Sequence, residues 1–260
     1  MKLIVAVIAI AWTASVVTEL PAGGQGAKPA PVLIELFTSE GCSSCPPADK
    51  LLAQMDSYQR ADLGQLIVLS EHVDYWDHDG WKDPFSDPSL TDRQNGYARM
   101  LGLSTVYTPQ LVVDGTSELK LGEQGQVSQT LLKASSVPKI SISIGPIRVD
   151  AGDPAEIHAE IDADGSAEVQ SSDVFLAVAL NRAETHVLHG ENAGRVLTHV
   201  AVVQQLIRLG KLEKRSKFSK EFQVKLKPGT DPNNVRLIAF AQSPGSGKVV
   251  GVALRKMPPT

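Results

Sequence analysis

The chain has little cysteine: Cys42 and Cys45 are the only two in 260 residues. Any disulfide within one molecule must therefore join this pair, and a site of four thiolates within one molecule is excluded. Basic residues are not in excess either, since 25 Lys and Arg stand against 29 Asp and Glu. A net charge of -4 provides no basic face of the kind that binds nucleic acid. The sequence also lacks a glycine-rich phosphate loop and a Gly-x-Ser-x-Gly elbow.

No apolar run near the N-terminus reaches the length of about 20 residues that a membrane span needs. Lys2 is followed by an apolar run from Leu3 to Val17, and one positive charge before a short apolar core is typical of an export signal. We predict a signal peptide over residues 1–22, a linker over 23–30 and a periplasmic or secreted location; an uncleaved anchor is the alternative. Outside the cytoplasm a dithiol is not held reduced, so the cysteine pair can rest oxidised.

Residues 31–137 alternate between strand and helix patterns. Apolar runs predict strands at 32–37 and 65–70, a long loop covers about 71–92, and Asp114-Gly115 predicts a hairpin after Pro109. Helices are predicted near 48–55, 89–101 and 124–136.

The pattern changes after Pro138 to short runs in which apolar and polar residues alternate, as in 140–144 and 222–226. Such alternation is typical of antiparallel strands with one face in water. We predict a boundary at 137–140 and an all-β, sandwich-like domain of about seven strands over 138–260. Residues 195–209 fit either a strand or a helix.

Cys42 and Cys45 follow a predicted strand and precede a predicted helix, where the helix dipole favours a thiolate. We expect Cys42 to be the exposed nucleophile and Cys45 to resolve the mixed disulfide. A structural disulfide or an inert pair is the alternative. Because proline belongs in the first turn of a helix, Pro46 and Pro47 predict that the helix begins near Cys45 and leaves Cys42 in the preceding loop.

The order strand, C-x-x-C, helix, strand, helix, Thr108-Pro109, hairpin and helix resembles the thioredoxin fold over residues 31–137. The resemblance implies a cis Thr108–Pro109 bond against the dithiol and a buried acid that assists proton transfer, for which Glu35 is the candidate; a solvent-facing Glu35 is the alternative. Gly41 and two serines between the cysteines replace the familiar aromatic residue and Gly-Pro, so the reduction potential does not carry over.

Three segments look more narrowly like a family of secreted bacterial thioredoxin-like proteins of unassigned function. They are residues 37–49, 72–85 and 190–195, so the resemblance extends into the second half of the chain. It implies an α/β thioredoxin-like fold followed by an all-β domain and supports the fold more than any reaction.

A metal site is a further possibility, because imidazoles and carboxylates crowd the loop after residue 71 and, together with the dithiol, offer ligands for copper or zinc. The residues concerned are His72, Asp74, His78 and Asp79. Their spacing matches no specific ligand pattern, and we favour a hydrogen-bonded loop that covers the site with Trp76 and Trp81. Asp49 is predicted to be a helix-surface charge, and His186, His189 and His199 to be satisfied or surface histidines.

The sequence thus predicts an extracytoplasmic thiol–disulfide oxidoreductase that acts on protein thiols or disulfides, without cofactor, metal or nucleic-acid partner. The predicted site comprises Cys42, Cys45, Thr108, Pro109 and Glu35. Two alternatives stay open: a non-catalytic binding protein with a structural disulfide, and a copper or zinc carrier. Whether the pair oxidises, reduces or isomerises depends on a potential set by local electrostatics.

Overall fold

The structure is a computed structural model that describes residues 28–57, 62–78, 80–120, 122, 124–168 and 170–257. The predicted signal peptide and linker residues 23–27 lie outside this part of the chain, as does Asp79. Within the described residues, every helix is too short or too polar to cross a membrane.

The first half of the chain follows the predicted order of strands and helices. Its elements are β1 (Val32–Thr38), α1 (Pro46–Ser57), β2 (Leu66–His72), α2 (Pro88–Leu101), β3 (Gln110–Val113), β4 (Ser117–Leu119) and α3 (Gln124–Ser135). The strands β1 and β2 are buried along their whole length, as expected of apolar strands inside a sheet. Asp87 caps α2 and Gly102 ends it in a left-handed conformation, which fixes this helix on the sheet.

The second half is all-β apart from one short 3-10 turn. Its strands are β5 (Ser141–Ile144), β6 (Arg148–Asp150), β7 (Glu156–Asp164), β8 (Ser172–His186), β9 (Val196–Leu212), β10 (Lys217–Lys225), β11 (Val235–Gln242) and β12 (Val249–Lys256). The ambiguous stretch at 195–209 is therefore part of a long strand. In β7 every second residue is buried, which confirms the alternation seen in the sequence.

One mixed sheet of eight strands runs through both halves, in the order β12-β11-β8-β9-β2-β1-β3-β4. The strand β9 lies parallel to β2 where Val202 faces Ser70. The expected boundary at 137–140 therefore marks a change of pattern but does not separate two sheets. Alternation in a sequence predicts a strand and its buried face, whereas the neighbour of that strand depends on contacts between distant residues.

A separate antiparallel sheet, β10-β7-β5 with β6 beside β7, covers the outer part of the large sheet. Apolar side chains from both sheets, such as Ile157 and Leu237, form one core. Near the middle of the chain's large sheet, α1 and α3 cover one face around Ile34, while α2 covers the other around Leu33. The carboxyl end of β1 therefore lies between the α1/α3 layer and the α2 layer, and the two cysteines follow it in the chain.

Candidate functional site

Cys42 and Cys45 form a disulfide at the junction of β1 and α1, with their Cα atoms 5.4 Å apart. The helix begins at Pro46, and the Cys45 carbonyl accepts hydrogen bonds from the N–H groups of Ala48 (2.8 Å) and Asp49 (3.1 Å). Cys42 lies in the preceding turn, as the two prolines predict.

The disulfide is covered, because both cysteines are 0% exposed. The expectation that Cys42 is exposed is therefore wrong for this state of the protein. Ser43 and Ser44 between them are exposed, and the Ser44 hydroxyl lies 3.3 Å from the Cys42 sulfur. A partner can touch the rim of the motif, but it cannot reach either sulfur without a movement.

The loop of residues 187–195, which joins β8 to β9 and is called the cover loop below, is hydrogen-bonded to the backbone around Cys42. Its Asn192 is fully buried and donates to the carbonyls of Glu40 (2.8 Å) and Cys42 (3.0 Å). Its Glu191 accepts a hydrogen bond from the Ser43 N–H at 3.0 Å. The second half of the chain therefore closes the site of the first. Sequence reasoning noted residues 190–195 as a family motif and assigned them no role.

Trp76 covers a second side of the motif. Its indole N–H donates to the Thr108 hydroxyl at 2.7 Å, and Thr108–Pro109 is a cis peptide bond, as predicted. A Cβ on Gly41 would lie 3.0 Å from both Cβ and the carbonyl oxygen of Trp76, so only glycine fits there without displacement. The loop is thus hydrogen-bonded, and Trp76 packs against Gly41 next to Cys42.

Glu35 is buried, but its carboxylate is directed away from the disulfide, into what we call the arginine cluster. Its oxygens accept from the Arg93 Nε (2.6 Å) and from the Tyr97 hydroxyl (2.5 Å). Gln242 bridges Arg93 and Tyr97 from the far end of β11. Within the described contacts, Glu35 reaches neither cysteine. The alternative of a solvent-facing Glu35 is wrong, and its proposed proton-transfer role has no geometric support here.

Glu71 completes the arginine cluster, with its carboxylate 3.5 Å from the Arg93 Nε and no hydrogen bond of its own. Burial, followed by the charge of Glu35, raises the pKa of Glu71 well above its ordinary value, although Arg93 opposes this shift. One guanidinium thus serves two carboxyl groups, and Glu71 is the one whose pKa burial raises.

A second buried group, the histidine cluster, lies beside the disulfide. The His199 ring has its Nε2 3.4 Å from Glu40 and its Nδ1 3.5 Å from Asp49. Asp49 is only 6% exposed, so its prediction as a surface charge is wrong. Burial lowers the pKa of His199, but Asp49 and Glu40 outweigh this effect and raise it to about 9.

His72 and Asp83 complete the histidine cluster, with the His72 Nδ1 2.7 Å from an Asp83 oxygen. That oxygen also accepts from the Glu40 N–H at 2.8 Å, and the Trp81 indole donates to Glu40 at 2.9 Å. Burial would raise the pKa of Asp83, but the adjacent His72 and these hydrogen bonds hold it below its usual range. The His72 and His199 rings meet edge to face at 4.7 Å.

The residues of the suggested metal site point to different partners. His72 binds Asp83, Asp74 accepts from Thr91 at 2.6 Å, and His78 stacks on Trp76. Among the described residues, which leave out Asp79, no three His, Cys, Asp or Glu side chains converge as metal ligands. This arrangement gives the carrier alternative no support.

Fold and site together define a mixed α/β protein with one large mixed sheet, a separate antiparallel sheet and a covered C-x-x-C disulfide. The chain belongs to the DUF1223 family, described as proteins of unknown function, whose sequence model matches residues 33–242.

Two of the solved structures that this chain resembles cover most of its length. A crystal structure of a protein from Agrobacterium tumefaciens is 26% identical, with a TM-score of 0.65, and covers 88% of this chain and 95% of that one. HBP35 of Porphyromonas gingivalis is 14% identical, with a TM-score of 0.65, and covers 90% and 77%, a likeness that shows the fold alone. A comparison with curated proteins finds no match.

Proposed function

We propose that this protein is a thiol–disulfide oxidoreductase with a thioredoxin-like first half, which acts outside the cytoplasm on protein thiols or disulfides. The observation that carries the proposal is the position of the disulfide, between a buried strand and the first turn of α1. The cis bond before Pro109, found where the resemblance implies it, supports the same interpretation. The location outside the cytoplasm rests on the sequence of residues 1–22.

The short loop that the disulfide closes also favours a chemical role. The two cysteines are separated by only 3 positions, and loop-closure estimates give such a cross-link about 2 kcal/mol, against about 3 kcal/mol for a 15-residue loop. Stabilisation alone is therefore a weak reason to place the chain's only cysteines here.

In the proposed reaction a thiolate of a partner dithiol attacks the Cys42 sulfur and displaces Cys45, and the partner's second thiolate then attacks the mixed disulfide, so that the partner leaves as a disulfide and both cysteines are reduced. The reverse sequence reduces a partner disulfide. Because both sulfurs are covered, the cover loop has to open first. Glu191 and Asn192 hold it with three hydrogen bonds, each of which contributes about 0.5–1.5 kcal/mol. Opening at that cost is compatible with a covered resting state that reacts when a partner docks.

A cover-loop variant tests the proposal. We expect Asn192→Ala to speed reduction of the disulfide by dithiothreitol about 10-fold, measured by acid quench, alkylation and mass spectrometry. The matched control is Asn181→Ala, which removes an asparagine that bonds the carbonyls of Asn233 and Val235 instead. Cys45→Ser, which lacks the resolving thiol, is expected to accumulate a mixed disulfide with a substrate protein that carries a disulfide, because the Cys42 thiolate attacks that disulfide and releases its second sulfur as a thiol.

Complete burial of both cysteines favours a second candidate, a binding protein in which the disulfide is structural. This candidate predicts equally slow reduction in wild type, Asn192→Ala and Asn181→Ala, and no mixed disulfide in Cys45→Ser. Those results together would contradict the oxidoreductase proposal.

A further inference from the structure

We infer that Asp49 exchanges a proton with Cys45 during the disulfide reaction and that His199 is the positioning residue that holds and supplies that proton. This inference rests on the proposed oxidoreductase function and assigns a task to buried groups that the reaction has so far left unused. Sequence reasoning placed Asp49 on the helix surface and gave His199 no role.

The helix brings Asp49 to the sulfur. Asp49 follows Cys45 by four residues, and its N–H donates to the Cys45 carbonyl at 3.1 Å. Side chains four apart on a helix share one face, with about 5–6 Å between their Cβ atoms. Both residues are buried on that face, so the Asp49 carboxyl is a polar group enclosed on the same side of α1 as the Cys45 thiol.

His199 links Asp49 to a second carboxylate. Its two ring nitrogens face Asp49 at 3.5 Å and Glu40 at 3.4 Å, and His199 is 1% exposed. Neither nitrogen makes a closer hydrogen bond, and one oxygen of each carboxylate is likewise without one. Buried polar atoms without partners are uncommon and call for an explanation. A site whose protons move during the reaction provides it.

Every element packed on His199 contributes to its charge environment. Glu40 approaches from the loop after β1, Asp49 from α1, and His72 from the end of β2, with its own Nδ1 held by Asp83. Phe85 closes the remaining side, with its ring centroid at 6.2 Å from that of His199. Two carboxylates directly face one imidazolium, and a thiolate formed on Cys45 would add one more negative charge to this enclosed space.

The proton balance of the step is as follows. A partner thiolate forms a bond to the Cys42 sulfur, the Cys42–Cys45 bond breaks, and its electron pair goes to the Cys45 sulfur. Asp49 passes a proton to that sulfur and takes one from His199, which ends neutral. The partner sulfur is oxidised to a mixed disulfide while Cys45 is reduced to a thiol. In the reverse direction Cys45 returns the proton and attacks the mixed disulfide.

The test uses the full chain carrying Asn192→Ala as parent, so that the cover loop does not limit access. The rate of reduction by dithiothreitol, corrected for its thiolate fraction, is measured from pH 6 to 10. We expect the parent rate to fall above about pH 9 as His199 loses its proton. Adding Asp49→Asn or His199→Gln should lower the rate about 100-fold, the lower end for proton-transfer groups, and remove the fall near pH 9.

His158→Gln is the matched control, since His158 pairs with Asp150 in the other sheet, and it should keep the parent profile. A merely structural role of His199 would lower stability but leave the fall near pH 9 in place. If Asp49→Asn, which keeps the size of the side chain, folds and retains the parent rate and pH profile, the proton-transfer inference is overturned while the proposed oxidoreductase function stands. A parent disulfide that resists reduction at every pH overturns the proposed function as well.

Discussion

The arginine cluster and the histidine cluster both place two carboxyl groups around one buried cation, yet they differ in the kind of cation and in how tightly it is held. Arg93 contacts Glu35 at 2.5–2.6 Å, and a guanidinium stays charged at any pH that the protein meets. His199 stands 3.4–3.5 Å from its two carboxylates, and an imidazole can gain or lose its proton.

This difference separates a structural role from a chemical one. The arginine cluster joins α2, β1 and β11 through hydrogen bonds and β2 through the ion pair of Arg93 with Glu71, and Arg93 also lies over the ring of Phe240. The histidine cluster lies beside the disulfide, with polar atoms that lack close partners. We therefore expect loss of Arg93 to lower stability at all pH values, and loss of His199 to change the way stability depends on pH.

The largest expected effect comes from Arg93→Met. It leaves Glu35 buried without its cation, so we expect a loss of about 3–5 kcal/mol in the free energy of unfolding, the usual result of breaking a buried pair. Denaturant unfolding at pH 7, with the disulfide intact, measures it. Arg182→Ala is the control because its pair with Glu184 is exposed, and its loss should stay below about 1 kcal/mol. Similar losses in Arg93→Met and Arg182→Ala would contradict a structural role for the arginine cluster.

The next effect is a pH dependence carried by His199. Its pKa is raised from 6.5 to about 9 in the folded protein, so its stabilising contribution is complete below pH 6.5 and is lost as pH rises through 9. The loss is on the order of 3 kcal/mol. Denaturant unfolding of wild type and His199→Gln at pH 6, 7.5 and 9.5 should show a smaller decline in the variant. Parallel declines would mean that His199 is not the titrating cation.

The smallest effect concerns Glu71→Gln. The pKa of Glu71 is raised in the folded protein, so folding favours its protonated form. Wild type therefore loses stability from this group as pH rises above the unfolded pKa of about 4.5. Glutamine cannot ionise, so the variant should gain stability relative to wild type as pH rises from 4 to 8. Glu35→Gln is the comparison and should be destabilised at pH 8, since Glu35 is paired with Arg93. A Glu71→Gln variant whose stability relative to wild type stays constant or falls over this range would contradict the assignment.

Local patterns in the sequence predict much of the site's frame. The start of α1 near the cysteines and the hairpin at Asp114-Gly115 follow from residues within a few positions of each other. The cis bond before Pro109 is implied by the family resemblance and not by a local pattern. Glu35 is a polar residue in an apolar run, and it is buried because β1 is covered on both faces.

Burial of the disulfide could not be predicted in this way. The Cys42 carbonyl accepts a hydrogen bond from Asn192, which lies 150 positions later in the chain. His199 reaches Asp49 because β9 lies next to β2 in one continuous sheet. The alternation of apolar and polar residues does not show which strand lies next to β9. The sequence therefore predicts two separate halves and does not predict the histidine cluster between them.

The central claim is that the covered Cys42–Cys45 disulfide is a working redox pair. Its most direct test is equilibration of the folded protein with glutathione buffers of graded redox ratio at pH 7, followed by acid quench, alkylation and mass spectrometry. The account predicts a reversible two-electron transition between disulfide and dithiol within that range, with the melting transition of the dithiol form still cooperative. A disulfide that stays fully oxidised in every buffer while Asn192→Ala also stays oxidised would contradict it.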